Sequence, residues 1–299
     1  MPASAWHYIT PILSEVAALH THRPIRSVLD IGVGAGKWGF LLRELLDFYH
    51  HGVYWREEWK TRVVGIEAFE RYRNPLHDWA YDKVLYGDAT ALVDQVEDVD
   101  LVIAMEVIEH LDKEAGLALL RKLESKASRG VIISFPPEYD GLGRHVLEQE
   151  ATHGNPYEQH RSVWSEADLR GFQARKLADF TWFLERAVVR PQLVREQGTQ
   201  SREGGVRVLT TPEGLLEYAL PAGTNKVEMV VLKHPWSGTL RATTPEGQLL
   251  HEEPLFAAQS HDHTLRLELP KGTSHLRLQV QPHPGSQGSE AWVKDLFLR

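Results

Sequence analysis

The 299-residue sequence predicts a doubly wound α/β domain followed by a smaller all-β antiparallel sandwich. Three observations carry this. Apolar, strand-like runs alternate with helix-periodic segments five times in the first half. A glycine-rich turn joins the first such run to the first helix of the alternation. From Leu215 onward, short segments of alternating hydrophobicity recur between proline-glycine turns.

The opening segment, residues 6–20, carries Ile9, Ile12, Leu13, Val16 and Leu19 at helical spacing. It suits a helix over the start of the first strand, either packing there or covering a ligand, and Pro24 ends it. VLDIGVGAGKWGFLLRELL (28–46) then reads as strand, turn and helix. Val28, Leu29 and Ile31 are the strand, Gly32, Gly34 and Gly36 the turn, and Leu42, Leu45, Leu46 and Tyr49 one helix face. Glycine tolerates positive φ and has no Cβ, so a ligand can approach bare backbone. The following helix start presents unpaired N–H groups and a positive dipole end. A nucleotide-like or carboxylate-bearing ligand fits such a place. Gly34, Gly36 and Gly39 match the spacing G-x-G-x-x-G of dinucleotide sites, but the glycine directly after the strand is Gly32, and counting from it puts Lys37 at the third position.

Residues 50–60 form a surface loop or short helix in which Trp55 and Trp59 either pack or touch substrate. Val63, Val64 and Ile66 make a second strand ending at Glu67, where an acid beside the turn can accept hydrogen bonds from both hydroxyls of a ribose. Val84, Leu85 and Tyr86 make a third, closed by Gly87, Asp88 and Ala89; an aspartate there can accept from the exocyclic amine of adenine. DLVIAM (100–105) has the continuous apolar character of a strand buried on both faces. It runs into EVIEHL (106–111) and a helix over 113–125. RGVIISF (129–135) is the fifth strand, stopped by Pro136 and Pro137. The polar stretch 138–165 follows, with His145, His153, His160, Tyr157, Arg161 and Trp164. A histidine or tyrosine there can act as a general base, orient an acceptor or only brace the loop, and the histidine spacing is no strong metal pattern. A short helix over 165–172 and two strands within 174–189 complete this half.

Net charge of −8 argues against tight binding to nucleic acid as the main task. With no cysteine, disulfides, thiolate metal sites and a cysteine nucleophile are excluded. No leader and no apolar run long enough for a membrane span is read, so the expectation is a cytoplasmic protein without a membrane partner.

Asp30-x-Gly32-x-Gly34-x-Gly36 resembles the first motif of the class I S-adenosylmethionine-dependent methyltransferases, and DLVIAMEVIEHL resembles their fourth motif in the small-molecule subgroup. The resemblance covers residues 26–189. It implies a Rossmann-like seven-stranded sheet with an added antiparallel pair, and S-adenosylmethionine as cofactor. Asp30, Gly32, Gly34 and Gly36 would shape the pocket for the methionine end, Glu67 would hold the ribose, Asp88 and Ala89 the adenine, and Met105 and Glu106 would border the sulfonium. Glu109 and His110 would face the acceptor. His110 is the first candidate for a base and His160 the second, and no metal is assigned. The Asn/Asp-Pro-Pro-aromatic sequence of many amino-group methyltransferases is absent after the fourth strand. A small-molecule or sugar-like acceptor is therefore expected, with O-methylation favoured. The rivals are a non-catalytic glycan- or partner-binding protein and an NAD-dependent oxidoreductase.

The expected division is 1–191, a linker at 192–205, and 206–299. In the last part LLEYAL, KVEMVVLKH, GTLRATT, HTLRLELP, HLRLQVQP and WVKDLFLR alternate, so that Leu265, Leu267 and Leu269 point one way and Arg266 and Glu268 the other. The general look is that of jelly-roll modules, many of which bind carbohydrate. His261 and His263 share a face and either chelate a metal or are simply solvated. Nothing in the residues selects an oligomer.

Overall fold

In the computed structural model, which describes residues 6–136, 154–186 and 189–298, the chain divides into the units Met1–Ala187 and Val188–Arg299. The first unit runs α1 (Ile9–His22), β1 (Ser27–Ile31), α2 (Lys37–Leu42), β2 (Arg62–Glu67), α3 (Pro75–Ala80), β3 (Lys83–Tyr86), α4 (Ala89–Leu92), β4 (Val99–Met105), α5 (Lys113–Lys126), β5 (Ala127–Ser134), β6 (Ala174–Ala178) and β7 (Thr181–Glu185). The sheet order is β3-β2-β1-β4-β5-β7-β6. The first five strands are parallel, and β7 lies antiparallel to both β5 and β6. This is the Rossmann-like sheet with its antiparallel pair. Strand order reverses between β1 and β4, and there a crevice opens at the carboxyl edge.

Every residue of β1 and β4 is buried, as a central parallel sheet with helices on both faces requires. The period-two alternation divides the apolar residues between two cores. Leu29, Ile31, Val102 and Ala104 pack with Leu119, Leu120 and Leu123 of α5. Val28, Leu101 and Ile103 pack with Ile12 and Val16 of α1 and with Leu42 and Leu46.

One expected helix face is not kept. Leu42 and Leu46 are buried, but Tyr49 is 79 % exposed. The reason is that α2 continues as a π-helix, Arg43–His50, whose wider turn carries Tyr49 out and brings Arg43 and Asp47 in. The Arg43 guanidinium is fully buried. It donates to Asp47 Oδ2 at 2.9 Å, Asp82 Oδ2 at 2.7 Å, and the carbonyls of Ala80 and Thr61, and it lies 4.3 Å from the centroid of the Trp59 ring. Trp59 is thus a packing residue, also set against Trp79, while Trp55 is exposed. The helix expected over 165–172 is a single 3-10 turn, Glu166–Leu169, capped by Ser165 and Asp168.

The second unit holds β8 (Gln192–Gln197), β9 (Thr199–Ser201), β10 (Arg207–Leu209), β11 (Leu215–Ala219), β12 (Lys226–Lys233), β13 (Thr239–Thr243), β14 (Leu249–Pro254), β15 (His261–Glu268), β16 (His275–Gln281) and β17 (Ala291–Leu298). Two five-stranded antiparallel sheets result, β15-β12-β17-β10-β9 and β14-β13-β16-β11-β8. Their inner faces share one core, in which Met229, Leu265 and Val293 of the first meet Leu216, Leu240 and Leu278 of the second. Residues 192–205 are not a linker, because β8 pairs with β11 and β9 with β10. Both are edge strands. Only Leu193 of β8 packs against the core, so QLVREQ carries no alternation to read.

Removing the Arg43 charge strands Asp47 in the interior. Arg43→Met is expected to cost about 3–5 kcal/mol of stability, measured by urea denaturation.

Candidate functional site

At the carboxyl edge of the first unit's sheet lies a cavity of about 410 Å³, a size usual for small-molecule and cofactor sites. The turn after β1, the ends of β2 and β4, the start of α4, and residues 155–160 all contribute to its wall. Gly32 has φ +76° and donates its N–H to the Ile66 carbonyl at 2.8 Å; a Cβ there would lie 2.7 Å from Val107 Cγ2. The turn needs glycine at this point on both counts. Gly34 and Gly36 also have positive φ. Gly39 does not belong to the turn. It lies inside α2, its N–H donating to Tyr81 Oη at 3.0 Å, and a Cβ would meet Tyr81 Cζ at 2.3 Å.

The Gly34 N–H donates to Glu67 Oε2 at 2.7 Å, and the Phe69 N–H to Glu67 Oε1 at 2.8 Å. One buried carboxylate therefore joins the turn after β1 to the turn after β2. Burial raises its pKa, and the two N–H groups work in the opposite direction. The Gly34 carbonyl accepts from His77 Nε2 at 2.7 Å, so His77 Nδ1 accepts from the Tyr86 hydroxyl at 2.9 Å. Asp30 is 1 % exposed and accepts from the Tyr81 hydroxyl at 2.6 Å. Its Oδ1 has no partner among the described residues. Burial pushes the Asp30 carboxyl up to about 7. Asp88 caps α4, its Oδ1 accepting from the Thr90 N–H and hydroxyl, each at 2.7 Å.

The far end of the cavity is built from the segment after β4. Glu106 stands at φ +56°, a conformation that costs a non-glycine residue energy, and its N–H meets the Ser134 carbonyl and hydroxyl. Glu109 and His110 follow on the 3-10 turn Ile108–His110. Glu109 is 1 % exposed, and its Oε2 has no partner among the described residues. Burial raises its pKa well above the usual carboxylate range, and nearby Glu106 adds to this. Burial lowers the pKa of His110 from the ordinary imidazole value.

His160 arrives from the polar stretch with its ring 5.0 Å from that of His110. The Glu109 carbonyl accepts from the N–H groups of Arg161, at 2.8 Å, and Ser162, at 3.1 Å. Trp164, nearly fully buried, donates to the Ile108 carbonyl at 3.2 Å and to Ser162 Oγ at 2.8 Å. Tyr72 donates to Glu158 and accepts from Asn155. One donor atom each from Glu109, His110 and His160 lies within 4.8 Å of the others. His145, His153 and Pro137 lie outside the described residues.

The structure thus brings Gly32, Gly34, Glu67, Asp88, Ala89, Met105, Glu106, Glu109, His110 and His160 to one cavity, while Asp30 lies behind the turn and Gly36, set against Leu76 and His77, does not line it. Reasoning from sequence missed Tyr81, His77 and Tyr72, which lie outside every motif. In the second unit His261 and His263 do not converge on a common ligand. His261 Nδ1 meets the Gln259 carbonyl, and His263 Nε2 lies 3.5 Å from Glu253. That unit has a cavity of its own, lined by His234, Trp236, Glu290 and Trp292, with Trp236 57 % exposed.

No family model and no curated protein matches the chain. Among solved structures it is similar to a magnesium protoporphyrin IX methyltransferase from Synechocystis PCC 6803 with bound SAH, at 21 % identity and TM-score 0.39, over 60 % of this chain and 83 % of that one. It is also similar to an O-methyltransferase family protein from Burkholderia thailandensis, at 12 % identity and TM-score 0.40, over 59 % and 55 %. A third likeness is to the K2 cleaved adhesin domain of Lys-gingipain, at 14 % identity and TM-score 0.28, over 33 % and 75 %. At these identities and TM-scores, function has to rest on the site itself.

Asp30 makes the site pH-dependent. With its pKa raised to about 7 in the folded chain, the unfolded state gives up this proton first. Its contribution to stability is therefore full below about pH 4 and falls as pH rises towards 7, by ~4 kcal/mol. Asp30→Asn removes that share of the slope, which denaturation at a series of pH values measures as the difference from wild type.

Proposed function

We propose that the unit Met1–Ala187 is an S-adenosylmethionine-dependent methyltransferase that methylates a hydroxyl of a small or sugar-like molecule. The observation that carries this reading is the single cavity on which the glycine turn after β1, Glu67 at the end of β2, Asp88 after β3 and residues 105–110 after β4 converge. When bound, the cofactor supplies a methyl group already activated by a positively charged sulfur. The chain's task is then to align donor and acceptor and to exclude water.

The groups present suit that cofactor. Backbone at Gly32 and Gly34 takes the methionine end, with the Asp30 carboxyl, one oxygen unpartnered among the described residues, behind the turn. Each Glu67 oxygen accepts one backbone N–H and keeps a lone pair for a ribose hydroxyl. Asp88 Oδ2 and the Ala89 N–H face the adenine, while Met105 and Glu106 stand beside the sulfur. His110, on the cavity wall, can take the acceptor's proton, with Glu109 and His160 next to it. The dinucleotide reading has less support, since Gly39 packs against Tyr81 instead of shaping the turn.

A second reading concerns the unit Val188–Arg299. The exposed ring of Trp236 beside Trp292, His234 and Glu290 is a surface on which a sugar ring could stack and hydrogen-bond, and it favours a glycan-binding module. Trp236→Ala is then expected to abolish retention of the full chain on a glycan array.

Calorimetric titration with S-adenosylmethionine, S-adenosylhomocysteine and NADH tests the main proposal. The first two are expected to bind, and Glu67→Ala to weaken both by about 10–100-fold, as the loss of hydrogen bonds to a charged group implies. Binding of NADH alone overturns it.

A further inference from the structure

The end of the cavity beyond Glu106 holds more than a candidate base. We propose that Glu109, His110 and His160 form a binding site for one divalent first-row transition-metal ion. Their donor atoms lie within 4.8 Å of one another. Metal bonds to imidazole nitrogen and carboxylate oxygen are about 2.0–2.2 Å long, so neighbouring donors on one ion stand ~3 Å apart. Small side-chain rotations close the set.

Three further features point to a cation. Glu109 is almost wholly buried, yet its Oε2 has no protein partner among the described residues. An ionised carboxylate in that position is costly unless an opposite charge meets it. Glu106, three residues earlier, is a second acid on the same cavity wall. The donors are also held by backbone. Glu109 and His110 share the turn Ile108–His110, and the Glu109 carbonyl fixes the chain at Arg161 and Ser162, which sets His160 beside them. The Gln159 carbonyl, 3.4 Å from His110 Nδ1, and the Glu106 carbonyl orient the His110 ring, as outer partners of metal-binding histidines do.

Two imidazoles and one carboxylate select an ion such as Mn²⁺, Co²⁺ or Zn²⁺ over Mg²⁺ or Ca²⁺, which favour oxygen donors throughout. The three donors among the described residues leave coordination positions open toward the cavity. The role of the ion rests on the methyltransferase reading: an acceptor oxygen bound there is oriented toward the methyl donor, and its hydroxyl becomes more acidic. His110 and His160 then serve as ligands in place of the base role, the acceptor's proton leaves to water, and the acceptor is chosen for an oxygen able to bind metal.

The test uses the full, tag-free chain, stripped with chelator and titrated with Co²⁺, followed by its visible absorption bands, and with Mn²⁺, followed by electron paramagnetic resonance. One ion per chain is expected. Glu109→Gln, which keeps the shape of the side chain, is expected to weaken binding by about 10–100-fold, and the double variant His110→Ala/His160→Ala by at least as much. Circular dichroism of each variant shows whether it is folded. Absence of stoichiometric binding to the wild type overturns the proposal, as does binding that is unchanged in the folded variants, since the ion then sits on other histidines. S-adenosylhomocysteine titrated into the same samples reads the cofactor site separately. Metal binding without cofactor binding sinks the methyltransferase reading and leaves the metal site standing.

Discussion

The contact between the Gly34 N–H and the Glu67 carboxylate is the one on which the cavity depends. A parallel sheet leaves its loops free at the carboxyl edge, and nothing in the strand pairing alone holds two neighbouring loops at a fixed separation. Glu67 does so, because its second oxygen takes the Phe69 N–H. The glycine turn and the turn after β2 therefore form one rigid wall. His77 adds a third tie by donating to the Gly34 carbonyl, and Tyr81 a fourth by bridging Asp30 and Gly39. A ligand meets a preformed surface whose ordering cost falls on folding instead of binding.

The opposite wall follows a different logic. It is made by a segment that returns from about fifty residues further along the chain and is anchored at Trp164 and at the Glu109 carbonyl. Gly116 on α5 makes room for that indole, since a Cβ there would stand 2.6 Å from Trp164 Cζ2. Lys113 covers the ring, 4.2 Å from its centroid, and pairs with Asp168 at 2.9 Å. The placement of His160 is thus a consequence of packing around α5, well away from the cavity. The two walls are supported by separate parts of the core.

The strands of the α/β alternation and the glycine turn were legible in the sequence because each has a local signal. Doubly buried strands are continuous apolar runs, and a turn at positive φ calls for glycine. In the second unit the strands β11, β12, β13, β15, β16 and β17 were legible by alternation, and the edge strands β8, β9 and β14 and the three-residue β10 were not. An edge strand packs on fewer neighbours, so its composition is free to resemble a loop.

The sequence by itself determined which acids stand at the strand ends of the first unit: Asp30 one residue before the end of β1, Glu67 at the end of β2, and Asp88 and Glu106 just past β3 and β4. Only the tertiary structure decided what those residues meet. Tyr81 reaches Asp30 across the gap between α3 and β1, Arg43 turns inward because a π-helix widens the turn, and His160 joins Glu109 and His110 through a long loop closure. The physical reason is range. Backbone conformation and burial period are set by residues a few positions apart, whereas convergence of side chains depends on packing between segments whose separation along the chain carries no pattern.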